Sequence, residues 1–227
     1  MNWLRTIVFR AIFYLASVPI VATTPVAALF GQRVVIAHAD RWSRLHRVLM
    51  RLILGIRAKV EGEVPVGQFL YVAKHEAMYE TLELQLILGS PAMVLKRELM
   101  RIPLWGWSAV KYGALVVDRE ASSKALRTLM REGAAVRATG RSVIVYAEGT
   151  RVPHGESPPL RSGFAGLYKA LALPVVPIAL DSGRLLPKKG AKKPGVVTIR
   201  IGEAIPPGLP RAEAEARVHA AINALNH

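Results

Sequence analysis

QFLYVAKHEAMYETLELQLIL, Gln68 to Leu88, runs from an apolar stretch straight into a helical pattern, and the fold is read outward from it. QFLYVAKH reads as a buried strand ending at His75, and AMYETLELQLIL as the helix that follows. The same alternation continues toward the C-terminus. Ala92 to Lys96 reads as a strand, and ALVVDRE as another that ends at Asp118 and Arg119. SSKALRTLMREGAAVRATG is a helix with a serine cap and a glycine stop. RSVIVYAEGTR is a strand ending in a turn, FAGLYKALAL a helix, PVVPIAL and VVTIRIGEAI two further strands, and the tail from Arg211 a terminal helix. Short apolar strands alternating with helices predict an α/β domain, with a mixed, mostly parallel central sheet flanked by helices.

Polar residues recur where the strands end: His75, Lys96, Arg119, and Glu148 with Arg151. In α/β sheets the carboxyl edge is where ligands bind, so four such ends suggest one anion-lined pocket.

The N-terminal part differs. From Ala11 to Gln32 there is no charged residue, and that length is about enough to cross a bilayer. Pro19 and Pro25 are expected to kink this helix or break it in two. A cleaved signal and a buried core helix are the rival readings; a further apolar segment close behind favours membrane association. That second segment, Asp40 to Ile56, puts Leu45, Val48, Leu49, Leu52, Ile53 and Ile56 on one helical face and Arg44, Arg47 and Arg51 on the other. A basic amphipathic helix suits an anionic membrane surface. The expected organisation is therefore residues 1–58 as membrane-associated helices and residues 59–227 as a catalytic domain. LLPKKGAKKPG, Leu185 to Gly195, reads as a basic, solvated surface turn.

Lys and Arg number 31 against 16 Asp and Glu, a formal charge of +15, while 52% of residues are hydrophobic. The charge calls for an anionic partner, and the apolar content favours anionic lipid over nucleic acid. The basic residues are scattered, and no aromatic–basic RNA motif accompanies them. The chain has no cysteine, which excludes a thiol nucleophile and a thiolate metal site. Nor does the sequence hold a convincing cluster of metal ligands.

His75 and Glu80 are candidate catalytic residues. Imidazole titrates near neutral pH, and a carboxylate on its far nitrogen fixes the tautomer. Five positions along one helix separate two side chains by about 140°. The pair can meet only if His75 lies in the loop before the helix and Glu80 in its first turns. Glu148, Gly149, Thr150 and Arg151 follow a strongly apolar strand; there the glycine allows close backbone approach, and Thr150 and Arg151 suit a phosphate. Trp105 and Trp107 read as core packing or interfacial anchors.

Taken in order, these blocks resemble the glycerophospholipid acyltransferases, whose best-known bacterial members act on 1-acyl-sn-glycerol-3-phosphate. The family's Asn-His-x-x-x-x-Asp is matched by Lys74 to Glu80, its glycine–apolar–arginine block by Gly113 to Arg119, its Glu-Gly-Thr-Arg by Glu148 to Arg151, and its apolar run with proline by Val175 to Leu180. Lys96-Arg97-Glu98-Leu99, leading into Ile102-Pro103, is also similar. The chain departs from the pattern at Lys74, where Asn is usual, and at Glu80, where Asp is usual.

The resemblance implies a membrane-bound acyltransferase at the cell inner membrane, with its catalytic domain on the cytoplasmic side. It would move a fatty acyl group from acyl-CoA or acyl carrier protein to a lysophospholipid hydroxyl. His75 would be the general base, held by Glu80. Lys96, Arg119 and Arg151 would hold phosphate, Glu148 and Thr150 would shape the pocket, and the Gly149 N–H would face the oxyanion. No metal, cofactor or nucleic-acid partner is implied beyond the thioester donor and membrane lipids. The alternatives are another acceptor, such as lyso-ornithine lipid, or a membrane-binding protein without activity.

Overall fold

The computed structural model describes residues 1–117 and 123–226. In chain order it contains α1 (Asn2–Leu29), α2 (Gln32–Leu49), β1 (Ile56–Glu61), β2 (Leu70–Ala73), α3 (Tyr79–Ile87), β3 (Ala92–Lys96), α4 (Trp105–Tyr112), β4 (Leu115–Val117), α5 (Ser123–Ala138), β5 (Val143–Val145), α6 (Gly163–Leu171), β6 (Val175–Leu180), a short α7 (Ser182–Leu185), β7 (Gly195–Ile201) and α8 (Arg211–Ile222).

Among the described residues the strands form a seven-stranded sheet in the order β1-β7-β6-β2-β5-β3-β4. Five strands run parallel; β7 returns antiparallel to β6, and β1 lies parallel to β7 at the edge. The sheet is thus mixed and mostly parallel, as the alternation of strands and helices led us to expect. Alternate strand residues feed two apolar layers, since successive side chains leave opposite faces. Tyr71 and Ile144 pack with Phe9, Phe13, Leu82 and Leu84 on the α1/α3 face. Leu70, Val143 and Val175 pack with Phe164, Leu167 and Val218 on the α6/α8 face.

This topology creates the site. β2 and β5 are neighbours, with Leu70 opposite Val143 and Val72 opposite Val145. The chain leaves β2 through α3 on one face and leaves β5 through α6 on the other, toward opposite sides of the sheet. A crevice opens where such connections diverge. His75 follows β2 and the turn Glu148–Arg151 follows β5, so both segments border it.

The N-terminal region resolves one alternative and departs from expectation at its end. α1 is one helix with Pro19 and Pro25 inside it, so the prolines do not break it in two. Proline removes an amide from the ladder, and in the same stretch Thr23 Oγ1 donates to the Pro19 carbonyl at 2.7 Å, while His38 Nε2 meets the Ile20 carbonyl at 2.7 Å. The amphipathic helix does not reach Ile56. It loosens into a π-helical turn at Met50–Leu54 and stops at Gly55, which has φ +68°. Ile56 instead opens β1, paired with Gly195. A division at residue 58 therefore falls inside β1. α1 buries Thr6, Phe9, Phe13, Ser17, Thr24 and Ala27 along one face. It leaves Leu4, Leu15, Val18 and Leu29 between 67% and 82% exposed on the other. This one-sided apolar exposure and a length sufficient to cross a bilayer are what membrane association calls for.

Candidate active site

β2 stops at Ala73, so Lys74 and His75 lie in the loop before α3, and Glu80 sits in that helix's first turn. The loop lets the two side chains meet: His75 Nδ1 is 2.9 Å from Glu80 Oε1. The Glu80 side chain is wholly buried, whereas that of His75 keeps 17% of its surface exposed. The same Oε1 accepts the Glu76 and Ala77 amides, each at 2.6 Å, and Oε2 accepts the Ser182 hydroxyl at 3.0 Å. The carboxylate thus closes the N-terminus of α3, where negative charge is favoured, and fixes the imidazole. With Nδ1–H donating to Glu80, Nε2 remains as the ring nitrogen that can take a proton. Tyr146 packs its ring on His75, with centroids 4.4 Å apart. Burial holds the Tyr146 phenol well above its ordinary range, so it stays neutral.

A second layer supports this pair. The Lys74 ammonium has no solvent exposure; it donates to Glu148 Oε1 at 2.8 Å, to the Glu156 carbonyl at 2.5 Å and to Asn223 Oδ1 at 2.7 Å. The other Glu148 oxygen accepts the His75 amide at 3.2 Å, and the Val152 amide donates to the His75 carbonyl at 2.7 Å. The histidine backbone is therefore held from both sides by the segment after β5. Beneath it, Glu76 accepts from His154 Nδ1 at 3.0 Å and from the Gly183 amide at 2.6 Å. Burial raises the Glu76 pKa from its ordinary value, against the pull of those donors.

His75 opens into a cavity of about 1900 Å³. On one side its wall is apolar, with Tyr14, Val18 and Val21 of α1, Leu82 of α3, and Trp105. The wall also carries Lys96, Thr150 and Arg151, and from the segments around α6 and α8 Arg161, Phe164 and Leu209.

The structure brings His75, Glu80, Lys96, Gly149, Thr150 and Arg151 together at this crevice. Two expected placements change. Glu148 turns inward to Lys74 and does not line the cavity. The Gly149 amide donates to the Tyr146 carbonyl at 2.9 Å, so that N–H is already committed to the turn and does not supply the oxyanion contact. Gly149 itself has φ +71°, a left-handed conformation that glycine adopts without strain. Arg119 lies outside the described residues. Trp105 is part of the cavity wall, while Trp107 is 42% exposed with Lys111 5.5 Å from its ring centroid.

Ser182 escaped the sequence reading. It is 102 positions from Glu80 and just beyond the apolar run of β6, where no local pattern marks it. Lys74 was visible there only as a departure from the usual Asn.

Comparison with known proteins matches residues 55–181 to the family model Acyltransferase. The 1-acyl-sn-glycerol-3-phosphate acyltransferase of Pseudomonas aeruginosa is 34% identical over 169 residues, covering 73% of this chain and 66% of that protein, just under two thirds of its length. The enzyme of the same name from Saccharomyces cerevisiae is 26% identical over 212 residues, covering 86% of this chain and 70% of the other. The crystal structure of the 1-acyl-sn-glycerophosphate (LPA) acyltransferase PlsC from Thermotoga maritima shares the fold, with a TM-score of 0.76 at 24% identity over 99% of this chain and 95% of that one.

Proposed function

The chain belongs to the acyltransferase family, and from that premise we propose that it transfers a fatty acyl group from acyl-CoA or acyl carrier protein to the free hydroxyl of 1-acyl-sn-glycerol-3-phosphate, giving phosphatidic acid. The observation that carries this reading is the His75–Glu80 pair, 2.9 Å apart, whose histidine lines a cavity walled by apolar residues and by Lys96 and Arg151. His75 Nε2 takes the hydroxyl proton as the acceptor oxygen attacks the thioester carbonyl. The tetrahedral intermediate collapses with loss of the thiolate, and the imidazolium returns the proton to sulfur. Glu80 stabilises the imidazolium in between. The step balances with no metal or redox group.

The relatives named for this acceptor support the choice of lysophosphatidic acid. The apolar outer face of α1 and the formal charge of +15 support a seat on anionic lipid. In our reading this is the cell inner membrane, with the catalytic domain on the cytoplasmic side.

The test is thiol release from palmitoyl- or oleoyl-CoA by detergent-solubilised protein on addition of lysophosphatidic acid, with His75→Ala as control. Release that depends on the acceptor and vanishes in the control is expected. If neither acyl-CoA nor acyl carrier protein yields release with any lysolipid, the reading fails.

A further inference from the structure

Arg10 of α1, Lys192 of the Leu185–Gly195 loop and Arg151, which lines the catalytic cavity, come from distant parts of the chain to the place where that loop meets α1. Thr6, buried on the inner face of α1, accepts the Lys192 amide through its hydroxyl at 2.9 Å. That bond ties the Leu185–Gly195 loop to the membrane helix, so the loop is docked rather than free in solvent as its composition suggested. Arg10 is one helical turn beyond Thr6. Arg151 lines the catalytic cavity and also an adjoining one of about 100 Å³, shared with Pro187 and Lys188 of the same loop and with Glu76, whose carboxylate is taken up by His154 and the Gly183 amide. The Lys192 amide is held at Thr6, one turn before Arg10, and its ammonium meets the Pro187 carbonyl beside the small cavity that Arg151 lines; burial, then the charges of Arg10 and Arg151, lower the Lys192 pKa in keeping with that arrangement. Among the described residues no carboxylate forms an ion pair with Arg10, Arg151 or Lys192, although Lys192 Nζ donates to the Pro187 carbonyl. Such crowding of like charge is unfavourable until an anion enters it.

The direction of α1 identifies the anion. Arg10 is the last charge before the uncharged stretch Ala11–Gln32. Immediately beyond it Phe13, Tyr14, Ser17, Val18 and Val21 form cavity wall. Along one helix, then, a cationic end is followed by an apolar trough, the polarity of a single-chain amphiphile with an anionic head. Building on the acyltransferase reading, we infer that Arg10 and Lys192 join Arg151 in binding the phosphomonoester of the acceptor, and so select acceptors by headgroup charge. A phosphomonoester carries nearly two charges at neutral pH and three acceptor oxygens, so it can take these cations in addition to those already in the cavity wall.

Arg10→Gln, Lys192→Gln and the double variant are compared with wild type on lysophosphatidic acid and on 1-monoacylglycerol, which lacks the phosphate. Each single change is expected to raise the KM for lysophosphatidic acid about tenfold, to reduce kcat at saturating acceptor by less than about twofold, and to leave the donor KM and the monoacylglycerol KM in place. Lys192→Arg, which keeps the charge, is expected to retain most of the affinity. Sedimentation with phosphatidylglycerol/phosphatidylethanolamine vesicles separates headgroup selection from general attachment. Loss that is equal for both acceptors and tracks vesicle binding overturns the inference, as does an unchanged KM.

Short-chain lysophosphatidic acid titrated against wild type and Lys192→Gln, followed by phosphorus NMR, reads the site without turnover. Binding that the variant loses, in a protein with no transferase activity, keeps the site and removes the acyltransferase reading. Equal binding by both proteins overturns the site.

Discussion

Lys74 Nζ lies 2.8 Å from Glu148 Oε1, and solvent reaches neither side chain. Removing one partner of such a pair leaves a buried charge alone, at a cost of about 3–5 kcal/mol. Lys74→Met is therefore expected to lower stability by roughly that amount in chemical denaturation. Lys74→Met with Glu148→Leu should recover part of it, because the unpaired charge is gone, while the Glu156 carbonyl, Asn223 and the His75 amide still lack their partners. The double variant is still expected to turn over slowly, since the His75 amide has lost the oxygen that holds it. A double variant as unstable as the single one would show that charge is not what matters at this pair.

Glu80 meets four donors: the His75 ring, two backbone amides and Ser182. Glu80→Gln keeps the shape but offers a single acceptor oxygen, so kcat is expected to fall about a hundredfold or more while the fold persists. Glu80→Ala leaves buried amides unsatisfied, and about 1–3 kcal/mol of stability should go with each. Steady-state kinetics beside thermal melting separates the two effects; equal melting temperatures for the two variants would count against this account.

His46 is 2% exposed, packed edge-on against Phe13 at 4.9 Å and Phe9 at 5.6 Å, and its Nδ1 has no hydrogen-bond partner among the described residues. Burial pushes its pKa down from 6.5 to about 4. The folded protein keeps this ring neutral while the unfolded chain takes up a proton, so stability rises with pH through this window. Acidification from 6.5 toward 4 is expected to cost about 3 kcal/mol at this residue, loosening α1 from the domain. His46→Phe should flatten that part of the stability–pH curve. An unchanged acid limb in the variant would assign the sensitivity elsewhere.

Gly149→Ala places a side chain at φ +71°, with its Cβ 3.1 Å from Arg161 Cγ. The expected cost is about 1 kcal/mol of backbone strain, together with displacement of Arg161 in the cavity wall. The readout is a raised KM for at least one substrate, alongside a small drop in melting temperature.

The central strands were legible because their apolar runs are short and bounded, and because His75 and Glu148 stand at their ends. β1 was hidden: Arg57, Lys59 and Glu61 alternate in it, as suits an edge strand, and the helical spacing of the preceding residues runs on to Ile56. α4 is only eight residues long and carries Gly106 in its first turn, so periodicity could not show it. His75 and Glu80 could be paired from the sequence because five residues separate them. The direction taken by Glu148 could not, because its partner Lys74 is 74 positions away and a strand end can turn toward ligand or core. The docked loop at Lys192 was read as solvated because composition does not disclose that its amide meets Thr6 on a helix 186 residues earlier.

α1 is at once an exposed apolar surface and a wall of the cavity: Val18 is 67% exposed and still lines it. On the proposed reading, an amphiphile sliding along that helix need never be dissolved, and bulk concentration is the wrong variable. Turnover is expected to follow the acceptor's mole fraction in the bilayer, and to fall when inert lipid dilutes the surface at constant total acceptor.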